Sequence, residues 1–115
     1  MIRRTILFED RLMKLMKIDW EAGAFIKRHS HSTHCRFKIT NGMIYHTTWY
    51  NKDSKNNSML WGSNTTHIIP LGQSHEMFAP IPSCTLHLYT RDLVPDDQMD
   101  EICWQLHVQL LTDGK

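Results

Sequence analysis

Residues 29–35 read HSHSTHC: three histidines and a cysteine within seven positions. In an extended strand, side chains two apart share a face. His29 and His31 therefore project together, as two ligands of one metal must. Cys35 has their parity and His34 does not. Two histidines do not complete a site. His75 is the third candidate, because it follows the turn Pro70-Leu71-Gly72-Gln73-Ser74. Glycine there permits the tight bend that delivers the first side chain of the next strand inward. A zinc finger fits poorly: its four ligands form compact pairs across a short loop, and His75 lies more than forty residues beyond His31. A lone His-x-His pair is as readily a satisfied or exposed pair, so the frame around it has to decide.

Outward from this stretch, the chain reads as short strands between turns. Expected strands cover 5–8, 12–20, 24–29, 34–40, 43–50, 65–69, 75–79, 85–90 and 102–111, with a rival helix over 96–105. The run 12–20 fits a helix or a strand with one buried face, and the lack of a following cap favours the strand. Asn41-Gly42 is a hairpin signal between two of these runs. Residues 51–58, NKDSKNNS, read as a polar loop. Short antiparallel strands joined by tight turns make a sandwich or a small barrel. The expectation is an all-β fold in a single domain spanning 1–115.

Composition removes several function classes. Thirteen basic against twelve acidic residues leave a net charge of +1, without a basic stripe for nucleic acid or an acidic tail for a charge-driven partner. The apolar runs are too short to span a membrane. Charges break the first apolar run after Phe8, which argues against a secretory signal. Three cysteines, Cys35, Cys84 and Cys103, form no disulfide framework and read as thiols of a reducing compartment, the cytoplasm. Eight histidines are the outlying count, and histidine is the commonest metal ligand and a usual acid–base residue.

The spacing around the histidines is more specific than their number. Gly23, five residues, His29-x-His31, three residues, Cys35, six residues and Gly42 resembles the first motif of the cupin superfamily, with Cys35 where glutamate usually stands. Pro70-x-Gly72-x-x-His75 resembles the second motif, with Ala79 in the place of its trailing asparagine. That resemblance implies a small cupin, or jelly-roll, β-barrel. Three further stretches narrow it: Trp20-x-x-Gly23, Thr33-His34-Cys35 and Thr85-Leu86-His87-Leu88-Tyr89. With them the chain resembles cysteine dioxygenase, a thiol dioxygenase family within the superfamily, over roughly residues 3–90. It looks like a short form lacking the helical segment that precedes the barrel in full-length members.

The resemblance implies an iron(II) enzyme that oxidises L-cysteine, or a close small thiol, with dioxygen to the sulfinic acid. His29, His31 and His75 would hold the iron. Thr85, His87 and Tyr89 would form a catalytic chain, Cys35 and Tyr89 a thioether crosslink, and Arg4 the substrate carboxylate site, where a planar guanidinium suits a carboxylate. Arg3, its neighbour, faces the other way. Imidazoles suit iron(II), and three neutral ones leave it more positive than a set containing a carboxylate, so a substrate thiolate can serve as the anionic ligand. Thr85, His87 and Tyr89 alternate and so share a face, which lets His87 orient the Tyr89 hydroxyl and Thr85 support His87. The residues alone leave two other readings open: a different metal-dependent cupin enzyme, indifferent to Arg4, Cys35 and Tyr89, and a non-enzymatic ligand-binding cupin. His34 is expected outside the pocket and His46, His67 and His107 on strand surfaces. Cys84 and Cys103 are expected as packing residues, and Trp20, Trp49, Trp61 and Trp104 as core or rim aromatics. Met77 and Phe78 are expected to line or back the pocket. Partners are expected to be the thiol and dioxygen only, on a monomer with neither nucleic acid nor membrane.

Overall fold

The computed structural model of the chain describes residues 1–49 and 54–92. Among them are nine strands: β1 (Ile2–Glu9), β2 (Met13–Trp20), β3 (Phe25–His29), β4 (His34–Asn41), β5 (Met43–Trp49), β6 (Lys55–Gly62), β7 (Thr65–Ile69), β8 (Ser74–Phe78) and β9 (Ser83–Thr90). They form a five-stranded sheet, β1-β2-β9-β4-β7, and a four-stranded sheet, β3-β8-β5-β6, antiparallel throughout. The fold is all-β, as the strand pattern indicates. The expected strand or helix beyond residue 92, with Cys103, Trp104 and His107, lies outside the described residues. Among the described residues no helix is long and apolar enough to cross a membrane.

Period-two alternation places the core. Met16, Ile18 and Trp20 of β2, Cys35, Phe37 and Ile39 of β4, and Ile69 of β7 meet Ile44 of β5 and Met77 of β8 between the sheets. The opposite parity on β2 and β9 gives a second, smaller cluster of Leu15, Leu86 and Leu88 on the other face of the large sheet. Burial of both parities over residues 85–88 of β9 fits a central strand, covered on both faces.

Two local expectations fail, for identifiable reasons. Asn41-Gly42 is not a hairpin: β4 pairs with β7 and β9, whereas β5 pairs with β6 and β8. Gly42 is instead the corner where the chain changes sheet. Its φ is +92°, and an added Cβ would collide with the Ser83 hydroxyl and lie 2.7 Å from the Pro82 carbonyl. The dipeptide reports only a positive φ, which serves a corner as well as a hairpin. The stretch expected as a loop over 51–58 is strand from Lys55 onward. β6 is an edge strand bonded to β5 alone, and such a strand is held by backbone hydrogen bonds without needing apolar alternation.

Candidate metal centre

The two histidines of the opening stretch reach the interior by different routes. β3 carries a bulge: Ile26 pairs with Met77 and His29 with His75, so three steps on β3 match two on β8. The extra residue re-aims the strand, and Ile26 and His29 both face inward while Phe25 is exposed. Strict alternation from His29 would have placed Phe25 inside. The strand ends at His29. His31 therefore sits in the β3–β4 loop, where its carbonyl accepts from the Gly72 amide at 3.3 Å. Gly72 belongs to the turn closed by Gln73 N–H to Pro70 O at 3.0 Å and has φ +81°, the conformation a type II turn requires at its third residue. That turn feeds β8 and delivers His75, which is 1% exposed.

The three Nε2 atoms form a triangle with every side 3.1 Å. Hydrogen bonding alone does not satisfy it. A neutral imidazole nitrogen is either a donor or an acceptor, so of three mutually adjacent nitrogens two are alike and repel. A cation facing three lone pairs removes the conflict. The triangle also has the right size, because it is the face of an octahedron whose centre lies about 2.2 Å (3.1/√2) from each corner. The donor set and its dimensions fit a divalent transition metal such as iron(II).

Neighbouring groups fix the tautomers. Nδ1 of His29 donates to the Lys27 carbonyl at 2.7 Å, leaving the Nε2 lone pair for a metal. Nδ1 of His75 lies 3.0 Å from Nε2 of His46. With the His75 Nε2 lone pair turned to the triad, Nδ1–H donates and His46 accepts. His46 is thus buried, at 6% exposure, behind the ring of His75, and is not the strand-surface residue expected. The signal was available: His46 shares its parity with Ile44, which is fully buried. His67 is likewise half-buried against Phe37 and Trp61 rather than at the surface. Removing a partner that orients a ligand typically costs ten- to hundredfold in metal affinity. His46→Ala is expected to weaken iron(II) binding by about that factor, with partial recovery in His46→Gln, by competition against a chromophoric chelator.

Beyond the triad lie the other residues singled out from the sequence. Cys35, Tyr89 and Lys14 are register neighbours across β4, β9 and β2. Burial pushes the Cys35 thiol up to about 12, with Tyr89 acting in the opposite direction, so it is protonated and adds no anion beside the triad. Burial also raises the Tyr89 phenol, with Cys35 contributing. Trp20 Nε1 donates to the Thr85 hydroxyl at 2.9 Å, and that hydroxyl lies 2.8 Å from Nε2 of His87. The indole can only donate, so the Thr85 hydrogen is free for His87. Trp20 is therefore a polar partner as well as a core aromatic. His87 does not orient the Tyr89 hydroxyl. The two rings stand parallel at 15° with centroids 6.3 Å apart, as side chains two apart on one strand do, and Nε2 of His87 faces Thr85 instead. Arg4 lines the cavity, whereas Arg3 faces outward to Asp19 at 3.5 Å. His34 has the parity of Arg36, opposite to Cys35, and stays off the cavity wall. Met77 lines the wall, but Phe78, of opposite parity, points outward at 39% exposure. The cavity itself is about 630 Å³.

Burial lowers five imidazoles: His31 and His46 to about 4, His87 to about 3, His75 to about 2, and His67 below its usual value. Their folded values lie below the unfolded value of 6.5, so between the two the unfolded chain binds more protons. Stability is complete above about pH 6.5 and is lost as pH falls toward 4. Urea midpoints of the metal-free protein are expected to be flat above about pH 7 and to fall steadily below it. A flat profile down to about pH 4.5 would contradict the neutral cluster.

No family model matches the chain, and no curated protein matches it. Solved structures do. A cupin superfamily protein from Desulfitobacterium hafniense is 10% identical, with TM-score 0.71 over 80% of this chain and 79% of its own. An RmlC-like cupin from Shewanella frigidimarina is 14% identical, with TM-score 0.69 over 84% and 79%. KdgF from a Halomonas species is 17% identical, with TM-score 0.68 over 84% and 83%. The fold is that of the cupins, a double-stranded β-helix. Within it, this chain carries three histidines placed to hold a metal.

Proposed function

We propose that this chain is a non-haem iron(II)-dependent thiol dioxygenase that converts L-cysteine, or a close small thiol, to its sulfinic acid. The observation that carries this reading is the composition of the centre. Three imidazoles meet at 3.1 Å, and where the cupin motif has glutamate there is a buried, protonated thiol in register with tyrosine. Such a site leaves the anionic position for the substrate's own sulfur. Bound iron(II) would supply dioxygen activation. The protein's share is binding and orientation. Arg4 offers its guanidinium to a carboxylate from β1. Tyr89 presents a neutral hydroxyl beside His31, with ring centroids 5.3 Å apart. Trp20, Thr85 and His87 hold one another behind it. The net reaction balances with both oxygen atoms entering the sulfinic acid. Cys35 and Tyr89 face each other in register, and a thioether link between them would be a two-electron oxidation in which dioxygen takes up the two hydrogen atoms and the chain becomes lighter by that mass. Free Cys35 and Cys84 suit a reducing compartment such as the cytoplasm.

The test is oxygen uptake by iron(II)-loaded protein given L-cysteine, with product quantified by chromatography. Uptake matched mole for mole by cysteine sulfinic acid supports the reading. Iron binding with no uptake on any small thiol removes it and leaves a metal-binding cupin.

A further inference from the structure

The two faces of the β1–β2 pair treat their basic residues differently. Outward, Arg3 and Lys17 share Asp19, at 3.5 and 3.8 Å. Inward, Arg4 and Lys14 line the cavity, and neither makes an ion pair among the described residues. Lys14 continues the inward parity of Trp20, Ile18 and Met16, as the one charge in that series. It stands opposite Tyr89 in register, with Nζ 5.2 Å from the Tyr89 ring centroid. Glu9, its cross-strand neighbour on β1, lines the same cavity without pairing to it. Asp10, at the rim, is engaged by the amides of Leu12 and Met13 at 2.7 and 2.9 Å.

Both cations bear on the centre. The charge of Arg4 is felt at His87 and Tyr89, and that of Lys14 at His31. Two like charges lining a cavity that would also accept a metal dication disfavour the empty cavity. An anion that reaches both reverses the sign. A substrate with one carboxylate satisfies Arg4 and leaves Lys14 unmatched. The cavity is not short of room: its volume of about 630 Å³ falls among pockets that enclose drug-sized ligands.

We propose that Arg4 and Lys14 form a paired cationic pocket, and that the preferred substrate is a small thiol carrying two carboxylates. This rests on the thiol dioxygenase reading and narrows it. The test is calorimetric titration of iron(II)-loaded protein under argon, so that nothing turns over. The probes are mercaptosuccinate and 3-mercaptopropionate, with succinate and propionate as their thiol-free counterparts. Each dicarboxylate is expected to bind about tenfold more tightly than its monocarboxylate partner, the effect of one charge-assisted hydrogen bond. Lys14→Met should erase that ratio while moving the monocarboxylates less than about twofold, and Lys14→Arg should restore it. Lys14→Gln serves where the methionine variant does not fold. Equal binding of mono- and dicarboxylates, or an equal loss of both in Lys14→Met, overturns the proposal. Failure of the thiol reading looks different: the mercapto compounds then bind no better than their thiol-free partners. In that case, or with protein that takes up no iron, the succinate-to-propionate ratio still decides the role of Lys14.

Discussion

His75→Ala is expected to lower iron(II) affinity by about a hundredfold or more, beyond the ten- to hundredfold that loss of an orienting partner costs. His75 differs from the other two histidines in its setting. His29 and His31 are partly open, whereas His75 is 1% exposed and tied to His46 through Nδ1. Deleting it removes one corner of the 3.1 Å triangle and leaves His46 without its donor. Two remaining imidazoles on a loop and a strand end make an open, weak site. The control is His87→Ala. His87 is equally buried but lies outside the triangle, bonded to Thr85. Its loss is expected to leave iron affinity within a few-fold of the parent while impairing turnover. Chelator competition on the two variants checks this. Equal affinities in parent and His75→Ala would break up the triad, and a large loss in His87→Ala would move the metal deeper into the barrel.

The triad was legible because each member sits beside a local signal. His-x-His is short, and Pro70-x-Gly72 announces the turn that sets the start of β8. The assumption that placed them was only partly right. Parity separated Arg3 from Arg4, because β1 runs straight there, whereas the pairing of Cys35 with Tyr89 comes from the family resemblance and is matched by their register across β4 and β9. Parity put His31 on a strand that ends two residues earlier, and it carries no sign of the bulge in β3. A bulge is one inserted residue, and no residue type in Phe25–His29 advertises it. The sheet-changing corner at Gly42 and the edge strand β6 were missed for a related reason. A positive φ and a polar run constrain the backbone without saying which strand comes alongside. Lys14 and His46 were legible in principle, since each lies in phase with buried apolar neighbours. A polar residue in such a phase is a question about the cavity.

Phe37→Ala is expected to reduce unfolding free energy by about 3–5 kcal/mol, the usual cost of emptying a buried aromatic site. Phe37 has no exposed surface and lies at the centre of the histidines. Its ring stacks on His87 at 5.4 Å, meets His46 edge-on at 5.1 Å and leans on His67 at 5.1 Å. Such contacts add to simple area burial, and the site cannot collapse readily because β4 is paired on both sides. The consequence extends past stability. Phe37 is the wall against which His46 rests, and His46 orients His75, so the void should loosen the metal-binding ring as well. Phe37→Leu keeps most of the volume and is expected to cost under about 1.5 kcal/mol. Urea titrations of both variants, alongside iron affinity, separate the two effects. If Phe37→Ala loses stability but holds iron as tightly as Phe37→Leu, the packing supports the barrel alone, and the orientation of His75 depends on its hydrogen bond. If both fall together, the aromatic core and the metal centre are one mechanical unit, and substitutions in the β4 interior will act on iron binding without touching a ligand.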